Sequence, residues 1–133
     1  MNYLILPSNV RYDKRLCPSE KIIFAEIMSL CCFKGYCFAT NRYFAELYKV
    51  DGGSVSRWVK HLRELGYIRE EFMRYSETNY TQQRRIYIEN VSSYKDYLPE
   101  GLYNKLAKFT KEDKESRELS ITAIDDYNWP MVF

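Results

Sequence analysis

A chain of 133 residues, 46% apolar and 29% charged, has room for one soluble globular domain plus a short extension, which excludes two full domains. The net charge of +2 hides an asymmetry: residues 1–90 carry 14 Lys and Arg against 10 Asp and Glu, and residues 91–133 carry 6 against 8. That basic excess permits a polyanionic partner and excludes the charge density of a histone-like protein.

In chain order, the segment from Asn2 to Pro18 is an apolar start broken by Pro7 and a polar loop. It reads as an irregular or short-strand lead-in anchored by Leu4, Leu6, Val10 and Leu16. A helix follows in SEKIIFAEIMSLCC, with Ser19 as N-cap, Glu20 in the first turn, and Ile23, Ile27, Leu30 and Cys31 at helical spacing. Gly35 closes it. The aromatic stretch GYCFAT suits a brief strand, and Thr40 caps a second helix, NRYFAELYKV, whose inward stripe is Phe44, Leu47 and Tyr48.

A tight connection through Lys49 and Val50 leads to Asp51, the N-cap of a third helix with Val55, Val59, Leu62 and Leu65 inward and Trp58 flanking. Gly66 ends it in the left-handed conformation. YIREEFMRYS and RRIYIEN are then β-favouring runs separated by the polar ETNYTQQ, which predicts a hairpin with a long tip. In the second run Ile86 and Ile88 alternate with Arg85, Tyr87 and Glu89, giving one apolar face. Beyond Asn90, Tyr94, Leu98, Leu102, Leu106 and Phe109 recur every three or four residues, with Pro99 starting a new helix. That helix either packs back on the domain or forms a dimer seam. Lys111 to Glu118 is a mixed-charge run that cannot build a core, and ITAIDDYNWPMVF is an apolar, aromatic end suited to a partner or to docking on its own domain.

The fold class expected from this order is α+β: a winged helix-turn-helix over residues 1–90 with a short C-terminal helical extension and an apolar, acidic tail over residues 91–133. In such a fold the last helix enters the major groove and carries polar and basic residues opposite its buried stripe. With Val55, Val59 and Leu62 inward, Gly52, Gly53, Ser56, Arg57, Lys60, Arg63 and Glu64 face outward. Arg57 is expected at a guanine edge or a phosphate and Lys60 at a phosphate, with Ser54 and Ser56 near the helix N-terminus, itself a favourable place for phosphate. The wing adds Arg74, Arg84 and Arg85, and Arg42 at the start of the second helix is placed for a backbone phosphate. The same cations would also serve as the ordinary solvated faces of amphipathic elements; the order of elements with a basic wing favours DNA.

The stretches GYCFATNRYFAELY and SRWVKHLRELGYI, with CPSEKIIFAEIMSLCCFK before them and RRIYI after, resemble the winged helix-turn-helix at the N-terminus of replication initiators and replisome organisers from phages and plasmids of low-GC Gram-positive bacteria. The resemblance covers about residues 3 to 90. It implies binding of double-stranded DNA, often as a homodimer, at an origin or operator of a mobile element. Members of that family commonly carry a glycine at the turn, then a serine cap and basic residues. Here the corresponding positions are Lys49, Asp51, Gly52 and Gly53. The two glycines either admit a phosphate close to the backbone or mark lost base reading. The 43 residues after the wing are fewer than the larger C-terminal domain usual in that family, which points to a stand-alone regulator or to a tail that contacts a host protein.

Two functions follow from different classes. The first is sequence-specific DNA binding in replication initiation or transcriptional control. The second is an interaction protein that uses the same scaffold to bind and inhibit a host replication factor or defence nuclease, with Glu64, Glu70 and Glu71 near the DNA face and Tyr127, Trp129 and Phe133 in the tail as its motivation. Leu98, Leu102, Leu106, Phe109 and Trp129 are the expected partner or dimer contacts. Enzymatic chemistry is not expected: His61 lacks a neighbouring nucleophile in sequence, no phosphate-binding glycine motif appears, and Asp125 and Asp126 lie in the tail. Cys17, Cys31, Cys32 and Cys37 form no CxxC pair with a nearby histidine, so no structural metal or cofactor is expected. With no signal peptide and no apolar run near the length of a membrane span, the expected location is the cytoplasm of a bacterial host.

Overall fold

The computed structural model describes residues 3–74 and 82–108, Arg74 by its backbone alone. The lead-in contains a short helix, α1 (Ser8–Arg11), where a strand or irregular chain was expected. Pro7 sets it up: its carbonyl accepts from the Val10 and Arg11 amides at 3.0 and 2.8 Å, and Val10 is driven into the core. Leu16 is also buried, whereas Leu4 is exposed.

Helix α2 (Pro18–Leu30) starts one residue before the predicted cap. Proline is pre-set for the first helical position, so Cys17 becomes the N-cap and Glu20 reaches back to accept from its amide at 2.8 Å. Ile23, Phe24, Ile27 and Met28 fill the centre of the core. In α3 (Asn41–Tyr48) Thr40 Oγ1 accepts from the Tyr43 amide at 3.1 Å, as a cap should. Phe44 is buried, but Leu47 is 46% exposed and does not join the inward stripe. Tyr48 instead turns toward α2, where its hydroxyl donates to Glu26 Oε2 at 3.0 Å.

The chain reverses at Lys49, which adopts the left-handed conformation with φ 55°. Helix α4 (Gly52–Glu64) then opens on Asp51, whose Oδ1 accepts from the Ser54 amide at 2.8 Å. Val55, Val59 and Leu62 are its buried stripe. Gly66, with φ 83°, ends it: its amide donates to Arg63 O and the Tyr67 amide to Leu62 O, both at 3.0 Å.

Strands β1 (Ile68–Arg74) and β2 (Gln82–Ile88) form an antiparallel hairpin with Ile68 opposite Ile88, Glu70 opposite Ile86 and Phe72 opposite Arg84. Cys37 joins β2 as a single antiparallel bridge to Ile86, the remnant of the brief strand read from GYCFAT. Ile68, Ile86 and Ile88 face the helices. The other face is covered as well, contrary to the single apolar face expected of β2: Tyr36, Phe38 and Tyr87 form a second cluster, with the Arg69 guanidinium 4.4 Å over the Tyr87 ring.

After β2 comes a 3₁₀ turn, Val91–Tyr94, and helix α5 (Glu100–Ala107). Val91, Tyr94, Leu98, Leu102 and Leu106 enter the same core as Ile23 and Phe24, and Tyr94 packs on Phe24 at 6.2 Å between ring centroids. Asn9 donates to the Tyr94 hydroxyl at 3.2 Å, tying the lead-in to this extension. The architecture is an α+β winged helix-turn-helix whose extension completes the core.

Candidate nucleic-acid interface

The outward side of α4 begins with Gly52 and Gly53, continues through Ser56, Arg57 and Lys60, and reaches Arg63 and Glu64; all are exposed. The two glycines have ordinary helical backbone, since the positive φ angles among described glycines fall at Gly35 and Gly66. What they supply is space. A Cβ at Gly52 would meet nothing within 4 Å, and one at Gly53 would meet Arg57 Nη1 at 3.6 Å. Arg57 folds back along this bare first turn, its Nη2 donating to Ser54 Oγ at 2.9 Å.

The Arg57 guanidinium is therefore brought to the start of α4, where the helix dipole and the free amides already favour an anion. Asp51 is the one acid there, and its carboxyl is held below its usual range by the Ser54 hydrogen bonds, with Arg57 nearby. Lys60 is 65% exposed, its ammonium 3.9 Å from Glu64 on the next turn. Arg42, at the start of α3, is 86% exposed and pairs with Glu46 at 2.9 Å. Surface pairs of this kind contribute little stability, so both cations can change partner at small cost.

The wing is less basic than its sequence. Arg84 and Arg85 were expected on its surface, and the structure turns both inward. Arg84 donates to Asn41 Oδ1 at 2.7 Å and to the Ala39 carbonyl at 2.8 Å, which fastens β2 to the start of α3. Burial lowers its pKa, opposed by the nearby Glu70. Arg85 is 1% exposed; its guanidinium lies 4.5 Å over the Tyr36 ring and its Nε donates to Gln83 Oε1 at 3.0 Å. The cause is the same for both: β2 has two covered faces, so alternate side chains have no solvent side to take. The Arg74 side chain lies outside the described residues.

Leu98, Leu102 and Leu106, expected as partner or dimer contacts, are buried in the core of their own protomer. Their three- and four-residue spacing specifies one apolar stripe, and that stripe is satisfied by Ile23, Phe24 and their neighbours. Phe109 and Trp129 lie outside the described residues. Among the described residues no group of His, Cys, Asp or Glu is placed to hold a metal ion, and no helix is long and apolar enough to cross a membrane.

Two arrangements have no single signal in the sequence. Glu20 and His61, 41 positions apart, are hydrogen-bonded between α2 and α4. Glu70, read as an acid that would oppose DNA, is engaged by Arg63 and Arg84. Only the return of Arg57 over Gly53 had a trace, the four-residue spacing that places one above the other on a helix.

A tri-helical core with α4 laid along its surface, joined to a β-hairpin, is the architecture of a winged helix-turn-helix. Residues 14–68 match the family model described as a helix-turn-helix domain, a span that takes in α2, α3 and α4 and stops at the first residue of β1. No curated protein and no solved structure matches the chain.

Proposed function

We propose that the protein binds double-stranded DNA in a sequence-specific manner, with α4 in the major groove. The observation that carries this reading is the exposed stripe of α4: Ser56, Arg57 and Lys60 face solvent on a helix whose opposite side, Val55, Val59 and Leu62, is fixed in the core. Arg57 reads a base edge or holds a phosphate, Lys60 and Arg42 hold phosphates, and Ser54 and Ser56 bond the backbone near the helix start. Arg74 is the wing cation assigned to the adjacent groove. The resemblance to initiators of phages and plasmids supports a role in replication initiation or transcriptional control in the bacterial cytoplasm, as a homodimer on a palindromic site.

Selection of bound duplexes from a random pool, followed by titration, tests this. Enrichment of a defined site is expected, and Arg57→Ala with Lys60→Ala should weaken binding of that site by about 1–3 kcal/mol. An unenriched pool, or equal affinity of the double variant, sinks the assignment.

The inward turn of Arg84 and Arg85 favours a second reading, because it removes from the surface two of the three wing cations expected to meet DNA. On that reading the scaffold binds a host protein, a replication factor or a defence nuclease. Capture from host lysate with and without nuclease separates the two: a partner retained after nuclease treatment, with no site enriched from the pool, supports the protein-binding reading.

A further inference from the structure

Glu70 on β1 has a carboxylate only 8% exposed, held between a cation from α4 and one from β2. Arg63 Nη1 donates to its Oε1, and Arg84 Nη1 lies 3.6 Å from its Oε2. Arg84 continues the chain to Asn41 and Ala39 at the start of α3. One carboxylate thus links the recognition helix, both wing strands and the first helix of the helix-turn-helix.

Arg63 follows Arg57 and Lys60 at three-residue intervals on the outward side of α4, which by position alone makes it a third phosphate ligand. Its side chain is 46% exposed, however, and its guanidinium is spent on an acid that water barely reaches. Separating that pair would leave a buried carboxylate with only the more distant Arg84, a cost that an exposed pair such as Lys60 with Glu64 does not carry. We propose that Glu70 is a positioning residue that withholds Arg63 from DNA and, through Arg84, fixes the wing to α4, confining phosphate binding by the recognition helix to its first half. This rests on the DNA-binding reading given above. Its consequence is restrained sequence-independent affinity, since each phosphate neutralised adds to binding that any duplex can satisfy.

The dependence of affinity on salt counts these contacts directly, each contributing about 0.9 to the slope of log K against log salt. The probe is a short duplex of random sequence titrated between about 50 and 200 mM salt. Arg63→Ala should leave the wild-type slope unchanged. Glu70→Gln should steepen it by about one, and Arg63→Ala added to Glu70→Gln should restore it. A purely structural role for Glu70 would lower affinity without steepening the slope. The proposal is overturned if Arg63→Ala flattens the slope by about one, or if Glu70→Gln, folded by circular dichroism, leaves it unchanged. Should Glu70→Gln not fold, Arg63→Ala decides alone, because the free and the withheld arginine give opposite results. A wild-type protein that shows no salt-dependent binding overturns the DNA-binding reading together with this one, whereas normal wild-type binding with either contrary variant overturns this one only.

Discussion

His61 Nδ1 of α4 meets Glu20 Oε2 of α2, and the other oxygen of the same carboxylate accepts from the Cys17 amide at 2.8 Å. One buried side chain therefore caps the helix that forms the centre of the core and braces the helix that faces solvent. Replacing Glu20 by alanine removes both bonds and should destabilise the protein by about 2 kcal/mol in urea unfolding. Glu20→Gln keeps an oxygen for the Cys17 amide and should lose about half as much. Equal losses would show that the cap contributes nothing.

Gly52 and Gly53 invite a test that divides stability from binding. Gly52→Ala places a methyl in open space on ordinary helical backbone, so it should stabilise the fold by about 0.4–1 kcal/mol. If the bare first turn admits a phosphate, the same change should weaken DNA binding while the urea midpoint rises. A variant gaining both stability and affinity would remove close approach as the reason for the glycine.

Lys49 adopts a conformation that costs an ordinary residue about 1–2 kcal/mol. Lys49→Gly relieves that strain against a larger entropy loss on folding, and should raise stability by about 0.5 kcal/mol. Lys49→Ala keeps the strain and should be close to neutral. Thermal melts of the two variants check the contrast.

Leu106 decides what α5 is for. Buried in the same core as Ile23 and Phe24, it should cost about 2–5 kcal/mol when changed to alanine, and the loss should be independent of protein concentration. Destabilisation that disappears as concentration rises would restore the dimer seam.

Tyr48 and Tyr67 set an alkaline limit. Burial, reinforced by Glu26 for Tyr48 and by Asp13 for Tyr67, pushes both phenols up to about 12 from 10.0. A pKa raised on folding contributes stability that is complete below the unfolded value and is lost as pH climbs to the folded one. Stability should therefore fall between pH 10 and about 12. Tyr48→Phe and Tyr67→Phe should each flatten that fall in pH-resolved urea titrations.

The initiation of α3 and α4 and the termination of α4 were legible because each depends on neighbours in sequence. Thr40 and Asp51 cap amides three residues on, and Gly66 takes a conformation set by its own backbone. The start of α2 falls two residues before the one read from the sequence, because Pro18, with its fixed φ, takes the first helical position and moves the cap from Ser19 to Cys17. The outward stripe of α4 was legible for a related reason: three inward aliphatic residues fix the rotation of a helix and so name the residues on its far side.

By itself the sequence determined the order of elements from α2 to the hairpin, the caps of α3 and α4 and the exposed face of α4, all of which follow from periodicity and interactions over a few residues. It could not determine how many faces of the wing are covered, since that depends on chain arriving from elsewhere: Tyr36 under Arg85, Ala39 and Asn41 on Arg84. An arginine on a strand reads as a surface cation until a third layer or a carboxylate such as Glu70 meets it. Only the tertiary structure decided that, because the free energy of a charge is set by the atoms around it in space, wherever they fall in sequence.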